Sequence, residues 1–263
     1  MELNSVNTTF EPAKFTPATV TNSPSGASAD VQETGAASLD FERFKVITFD
    51  CYGTLIDWET GLLGAIRPIL RSHDVRLSDT QILQIYGELE PKAQNPYCRY
   101  CDVLASIVRD FGDRLGFPVS DAEAQSLPES LKNWLPFPDT NDALEKLKTK
   151  YKLAIISNTD DDLFAATSRH FKVEFDEVVT AQQARAYKPS SAPFELALRR
   201  LGLPREQVLH AGQSVHHDVL PAKLLGLATV LVERRGFGAT KPTEGEPDLR
   251  VPDLRTLARL AVE

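Results

Sequence analysis

The stretch Phe44-Lys45-Val46-Ile47-Thr48-Phe49-Asp50-Cys51-Tyr52-Gly53-Thr54-Leu55-Ile56-Asp57 decides the fold. From Val46 it is apolar and rich in β-formers, it ends on the carboxylate of Asp50, and Gly53 offers a point where the backbone can turn sharply. A short apolar run bounded by a turn reads as a strand buried on both faces of a parallel sheet. In open parallel sheets ligands bind just beyond the carboxyl ends of the strands, where Asp50 would sit. An Asp at a strand end also caps ordinary turns, so the stretch needs support from the rest of the chain.

Beyond Asp57 the period changes. Residues 59–73 place Leu62, Leu63, Ile66, Ile69 and Leu70 at helical spacing. Residues 78–90 open on a Ser-Asp start signal, residues 97–111 carry a third apolar stripe, and a fourth, weakly marked helix is expected over 120–134. Helices with no β-signal among them read as an all-helical insertion over the strand end. Pro136 and Pro138 mark the return.

From there helix and strand alternate. Helices are expected over 141–149, 160–171, 191–201, 215–225 and 251–262, and strands over 152–157, 177–181, 207–212 and 228–233. That alternation implies βαβ units in a doubly wound parallel sheet, an α/β fold. The domains read as a disordered tail (1–40), a core (41–58 and 138–263) and a helical cap (59–137). The tail is rich in Ser, Thr, Ala, Asn and Pro, without a sustained apolar period to offset its chain entropy.

Composition narrows the function classes. With 42% hydrophobic and 25% charged residues, the 263-residue chain suits a soluble enzyme. Its net charge of −8 argues against nucleic acid or an anionic membrane as partner. The three cysteines, Cys51, Cys98 and Cys101, offer no even disulfide framework, which fits a cytoplasmic location. Cys98 and Cys101 form a C-x-x-C without a second ligand pair and are expected on a helix in the core rather than on a metal.

Polar residues gather at the strand ends: Asp50, then Ser157-Asn158, then Lys188-Pro189, then Gly212-Gln213-Ser214 with His216, His217 and Asp218. Singly each is an ordinary cap or loop residue. In a parallel sheet all these ends lie along one edge, so together they read as an active site.

The four segments, in this order, resemble the haloacid dehalogenase superfamily of hydrolases over about residues 44–240. Residues 60–137 correspond to the family's helical cap. Phe49-Asp50-Cys51-Tyr52-Gly53-Thr54-Leu55 is similar, more narrowly, to the type II 2-haloacid dehalogenases. The resemblance implies a Rossmann-like core and a catalytic set of Asp50 as nucleophile, Lys188 beside it, and Asp218 or His217 to activate water. Tyr52, Thr54, Ser157, Asn158, Gln213 and Ser214 would bind a small-molecule substrate. A solvated helix start remains the plain alternative for His216 and His217.

Departures weigh the chemistry. Superfamily phosphatases carry a second Asp where this chain has Tyr52, and a phenol of pKa about 10 is a poor general acid. They also hold Mg²⁺ partly through a carboxylate where this chain has Gln213. No metal or other cofactor is therefore expected, with Mg²⁺ entering only if the phosphatase reading holds. The dehalogenases place an arginine early in the cap. Gln84-Ile85-Tyr86-Gly87-Glu88-Leu89-Glu90 has two glutamates there instead, leaving Arg99 and Arg71 as substitutes. The family's aromatic hydroxyl after the lysine is Phe194 here, and Val215 replaces an asparagine. Carbon-directed hydrolysis of a small 2-substituted acid is the first expectation, a phosphatase the second and a ligand-binding relic the third. An apolar cap face could pair two copies as a homodimer.

Overall fold

A computed structural model describes residues 39–234 and 243–263. Its strands are β1 (Val46–Phe49), β2 (Lys152–Ser157), β3 (Glu177–Thr180), β4 (Val208–Gly212), β5 (Ala228–Val232) and β6 (Leu249–Val251). They form one parallel sheet in the order β3-β2-β1-β4-β5-β6. Val46, Ile47 and Phe49 are fully buried, as a central strand covered on both faces requires. Phe49 lies opposite Ile155 on one side and Ala211 on the other. The strand order reverses at the β1–β4 pair, and a crevice opens there beyond the strand ends. Asp50 is the first residue past β1, so the topology alone puts its carboxyl in that crevice.

Between β1 and β2 run α1 (Trp58–Ser72), α2 (Asp79–Ala93), α3 (Tyr100–Leu115) and α4 (Asp121–Ser130), then α5 (Thr140–Lys148) on the return. The sheet is flanked further by α6 (Asp161–Thr167), α7 (Ala181–Ala184), α8 (Ala192–Leu201), α9 (Leu220–Leu224) and α10 (Leu254–Val262). Asp57 caps α1 by accepting the Thr60 N–H at 3.2 Å. Ser78 with Gln81 and Ser120 with Glu123 form capping boxes on α2 and α4. Leu62, Leu63 and Ile66 of α1 are buried, each burial contributing about 1.5–3 kcal/mol.

The helical module joins the core through a short two-stranded ribbon. Ile56 bridges Pro136 antiparallel, the Asp57 N–H donates to the Leu135 carbonyl at 2.9 Å, and the Phe137 N–H donates to the Leu55 carbonyl at 3.0 Å.

Several expected boundaries move. The third helix begins at Tyr100 instead of residue 97, because the group that caps it comes from elsewhere in the chain. The fourth stops at Ser130, and Leu131–Asn133 follow as a 3-10 turn. The helix expected over 215–225 opens as a π turn, Val215–Val219, before α9. The terminal helix starts at Leu254, where Asp253 accepts the Thr256 N–H at 2.7 Å. Val251, placed in that helix by the sequence reading, ends β6, a strand of 3 residues too short to show a period.

The expected disordered tail, residues 1–40, lies outside the described residues apart from Leu39 and Asp40. Cys98 precedes α3 and Cys101 sits in its first turn. Both are partly buried, and only Cys51 is fully inside. Among the described residues no group of three His, Cys, Asp or Glu could hold a metal ion, and no helix is long and apolar enough to cross a membrane.

Candidate active site

After β1 the chain doubles back through Gly53, whose φ of +101° suits glycine, and a Cβ there would meet the Gln213 amide nitrogen at 2.9 Å. The turn brings the Thr54 hydroxyl onto Asp50 Oδ2 at 2.7 Å, while the same hydroxyl accepts the Gln213 N–H at 3.0 Å. Thr54 is fully buried. It therefore orients Asp50 and ties the first segment to the fourth, where the sequence reading made it a substrate ligand.

Lys188 is 1% exposed and bridges two carboxylates, reaching Asp50 Oδ1 at 2.9 Å and Asp218 Oδ1 at 2.6 Å. Burial would push its ammonium pKa down, but the two anions outweigh burial and raise it. Asp218 Oδ2 accepts the Ser214 N–H at 3.1 Å, and His210 Nε2 lies 3.4 Å from Oδ1. Burial alone would raise the Asp218 carboxyl, yet Lys188 and His210 hold it well below the usual range. Asp50 goes the other way: burial raises it, the Asp218 charge adds, and Lys188 and Thr54 oppose. The permanent anion of the pair is thus Asp218, packed behind Lys188. Gly212 makes the packing feasible, since a Cβ there would fall 2.4 Å from the Asp218 carboxyl carbon.

The second segment divides. Ser157 lines the cleft, and its buried hydroxyl has no hydrogen-bond partner among the described residues. Asn158 also lines the cleft, but its amide clamps the Lys188 backbone, accepting its N–H at 2.7 Å and donating to its carbonyl at 3.1 Å. It was expected on substrate, and it positions the lysine.

In the fourth segment the Ser214 hydroxyl accepts the His217 N–H at 3.1 Å and lies 3.2 Å from His217 Nδ1. Burial pushes the imidazolium down to about 4, so His217 is neutral at pH 7. The Ser214 hydroxyl and His217 Nδ1 thus share one hydrogen bond, in which either can donate, and both residues line the cleft. His217 therefore meets the cleft as a neutral imidazole, the form expected of a base.

Sequence reading missed the layer behind. Thr48 and His210 are register partners in the middle of two buried strands, and the Thr48 hydroxyl lies 2.9 Å from His210 Nδ1. The Thr48 hydroxyl also donates to the Leu209 carbonyl at 3.2 Å, so Thr48 and His210 form a buried polar pair directly behind Asp218. The ring of Phe194 stands edge-on to His210 at 4.9 Å, which places it behind the site and not on its wall. The available signal was two polar residues interrupting otherwise apolar strands.

The cleft between core and module measures about 750 Å³. Asp50, Tyr52, Ser157, Asn158, Lys188, Gln213, Ser214 and His217 line it, whereas Thr54 and Asp218 lie behind. Five of the chain's 6 tyrosines and both tryptophans also line it. Tyr52 packs edge-on to Trp134 at 6.0 Å, and its hydroxyl meets Thr167 at 2.7 Å. Burial drives that phenol up, beyond use as a proton donor at neutral pH. Neither expected substitute arginine reaches the cleft: Arg99 pairs with Asp160 at 3.4 Å and Asp162 at 2.7 Å, and Arg71 lines a separate surface depression.

A divalent cation between Asp50 and Asp218 would have to share their oxygens with the donors already there. The Lys188 ammonium lies between them, and all four carboxylate oxygens already accept hydrogen bonds.

With fold and site in view, a family model described as haloacid dehalogenase-like hydrolase matches residues 44–226, and the chain belongs to that family. It is 25% identical over 226 residues to haloacetate dehalogenase H-2 of Moraxella sp. (strain B), covering 83% of this chain and 98% of that one. It is 30% identical over 216 residues to glyceraldehyde 3-phosphate phosphatase of Methanothermobacter thermautotrophicus, covering 78% and 89%. The structure of L-2-haloacid dehalogenase from Xanthobacter autotrophicus with chloropropionic acid covalently bound superposes with a TM-score of 0.71 over 82% of this chain and 98% of that one. At 21% identity that likeness is one of fold.

Proposed function

We propose that the chain is a carbon-directed hydrolase in which Asp50 displaces a leaving group, halide being the simplest, from C2 of a small carboxylic acid. The observation that carries this reading is a buried carboxylate oriented by Lys188 and Thr54 with no proton donor two residues on, since the Tyr52 hydroxyl is turned to Thr167. Phosphoryl transfer from an ester needs such an acid for the departing alcohol, whereas halide leaves as a stable anion.

One Asp50 oxygen attacks C2, and the bond to the leaving group breaks with its electron pair going to the departing anion. The resulting ester keeps a donor on its other oxygen, Thr54 or Lys188, ready for the charge that develops when water adds to the Asp50 carboxyl carbon. Collapse releases a 2-hydroxy acid carrying an original Asp50 oxygen. The water oxygen stays in the regenerated carboxylate, and one proton passes to solvent. The unpartnered Ser157 hydroxyl donates to the substrate's carboxylate, and the neutral His217 ring lines the same cleft. No step calls for a metal, and turnover is expected to survive a chelator.

The similarity to a phosphatase favours one alternative, phosphoryl transfer through Asp50 with Mg²⁺. A single turnover in ¹⁸O-water separates them, using short 2-halo acids and phosphate esters as substrates. Label in the Asp50 peptide supports carbon attack. Label in released phosphate, with turnover abolished by chelation and restored by Mg²⁺, establishes the alternative.

A further inference from the structure

The wall that the helical module contributes to the cleft carries a carboxylate that the chemistry above leaves unused. Glu90 lies near the end of α2, and its Oε1 accepts the hydroxyls of Tyr86 and Tyr100, both at 2.8 Å. Those hydroxyls lie 2.9 Å from each other. Among the described residues no lysine, arginine or histidine pairs with Glu90, and no donor reaches Oε2. Burial raises its carboxyl pKa, and only the two phenols oppose that. Glu90 is partly exposed, and what exposure it keeps faces the cleft, so its carboxylate is open to a cationic ligand there.

What surrounds Glu90 is aromatic. Trp58 lies 5.3 Å from Tyr86, Tyr100 lies 6.1 Å from Tyr187, and Tyr187 lies 5.3 Å from Tyr97, ring centre to ring centre. All five line the same cleft as Asp50. Ring faces attract cations through their quadrupole, and one cation of the chain already uses this wall: the Arg185 guanidinium rests 5.0 Å from the Tyr97 ring centre. A neutral apolar ligand would fill the rings but leave Glu90 unpaired. A second anion would be repelled by it.

We propose that this wall is a cation subsite, and that the substrate carries an ammonium or similar organic cation on the arm that points away from Asp50. Joined to a carboxylate held near Ser157, that makes the substrate class a small zwitterion. The inference rests on the function proposed above only in taking the Asp50 cleft as the reacting site.

Binding measured without turnover tests it. The probe is tetramethylammonium chloride, with tert-butanol as a neutral body of similar size, each titrated into the full-length protein at constant ionic strength and followed by ligand-observed NMR. The unmutated protein is expected to bind tetramethylammonium at least tenfold more tightly than tert-butanol. Glu90→Gln is expected to lose at least tenfold, and Asp50→Asn to bind as the unmutated protein does. Equal affinity for the two probes overturns the proposal, as does unchanged tetramethylammonium binding by Glu90→Gln or a loss seen only in Asp50→Asn. Should Glu90→Gln not fold, the comparison on the unmutated protein stands. Trp58→Leu, which removes a ring without removing a Glu90 hydrogen bond, is then expected to weaken the cation alone. An unlabelled Asp50 in the isotope experiment would refute the mechanism and leave this result intact, and the reverse also holds.

Discussion

Asp160, in the loop after β2, accepts the Tyr100 N–H at 3.0 Å and so caps a helix of the inserted module from the core. It takes the Cys101 N–H as well, at 2.9 Å. The residue in the N-cap position of α3, Arg99, makes no side-chain cap and reaches instead for Asp160 and Asp162. The Tyr187 hydroxyl adds a third tie by donating to the Cys98 carbonyl at 2.8 Å. The first turn of α3 is therefore complete only while the module is seated on the core.

Replacing that carboxylate is expected to loosen the seat. Asp160→Ala leaves two helix N–H groups without acceptors, at a cost of about 1–3 kcal/mol. Urea unfolding should show the loss, and KM should rise by a larger factor than kcat falls, because the cleft wall is displaced while Asp50 stays in place. An unchanged urea midpoint would mean that the helix end finds other acceptors.

Lys188 is expected to matter to stability and chemistry in separable ways. Lys188→Met leaves Asp50 and Asp218 facing each other without a cation, at a cost of about 3–5 kcal/mol. Adding Asp218→Asn removes one of the two stranded charges and should return much of that stability. Activity should stay at least a thousandfold down in both variants, since Asp50 has lost the group that orients it. Recovery of activity along with stability in the double variant would show that the lysine is only structural.

The acid limb of the rate profile follows from the direction of the Asp50 shift. Attack requires the ionised carboxylate, and burial together with the Asp218 charge raises its pKa. Activity should therefore fall on acidification at a pH above the ordinary carboxylate value of about 3.9. Thr54→Val removes a donor to the charged form, so the limb should move higher still, by about one unit. The kcat/KM profile is the measurement, and a limb that ignores Thr54→Val would contradict the assignment.

His217 makes a prediction about folding. Its native pKa is lowered to about 4 from 6.5, so between those values the unfolded chain takes up a proton that the native chain does not. Acidification through that window therefore destabilises the fold. His217→Gln removes this contribution, so the variant should compare more favourably with its parent at pH 5 than at pH 7 in urea unfolding.

The sequence disclosed most where burial writes a simple code. β1, β2 and β4 are largely apolar runs with polar residues just beyond them, and Lys188 follows β3 by way of α7, so the convergence of Asp50, Ser157, Lys188 and Asp218 was legible from the parallel topology. Partners were harder to read than places. Thr54 and Asn158 do lie against Asp50 and Lys188, yet a hydroxyl can turn onto its own strand end and an amide onto a neighbouring loop, and periodicity carries no sign of either. The start of α3 was misread because its cap is 60 residues away. Glu90 was visible only as an acidic residue where an arginine was sought, since nothing local tells which face of α2 meets the cleft. β6 was hidden because 3 residues cannot establish an alternation.

The ribbon of Ile56 and Pro136 has an architectural consequence. The chain leaves the sheet and returns to it at one pair of bridged residues, so everything between is a closed detour whose ends are already adjacent. Such a segment is an exchangeable cassette: it can be lengthened, recombined with a homologous one or rebuilt without rerouting a strand or disturbing Asp50. Residues of the detour that line the cleft, Tyr86 and Glu90 among them, can therefore vary while the strand that carries Asp50 keeps its place in the sheet.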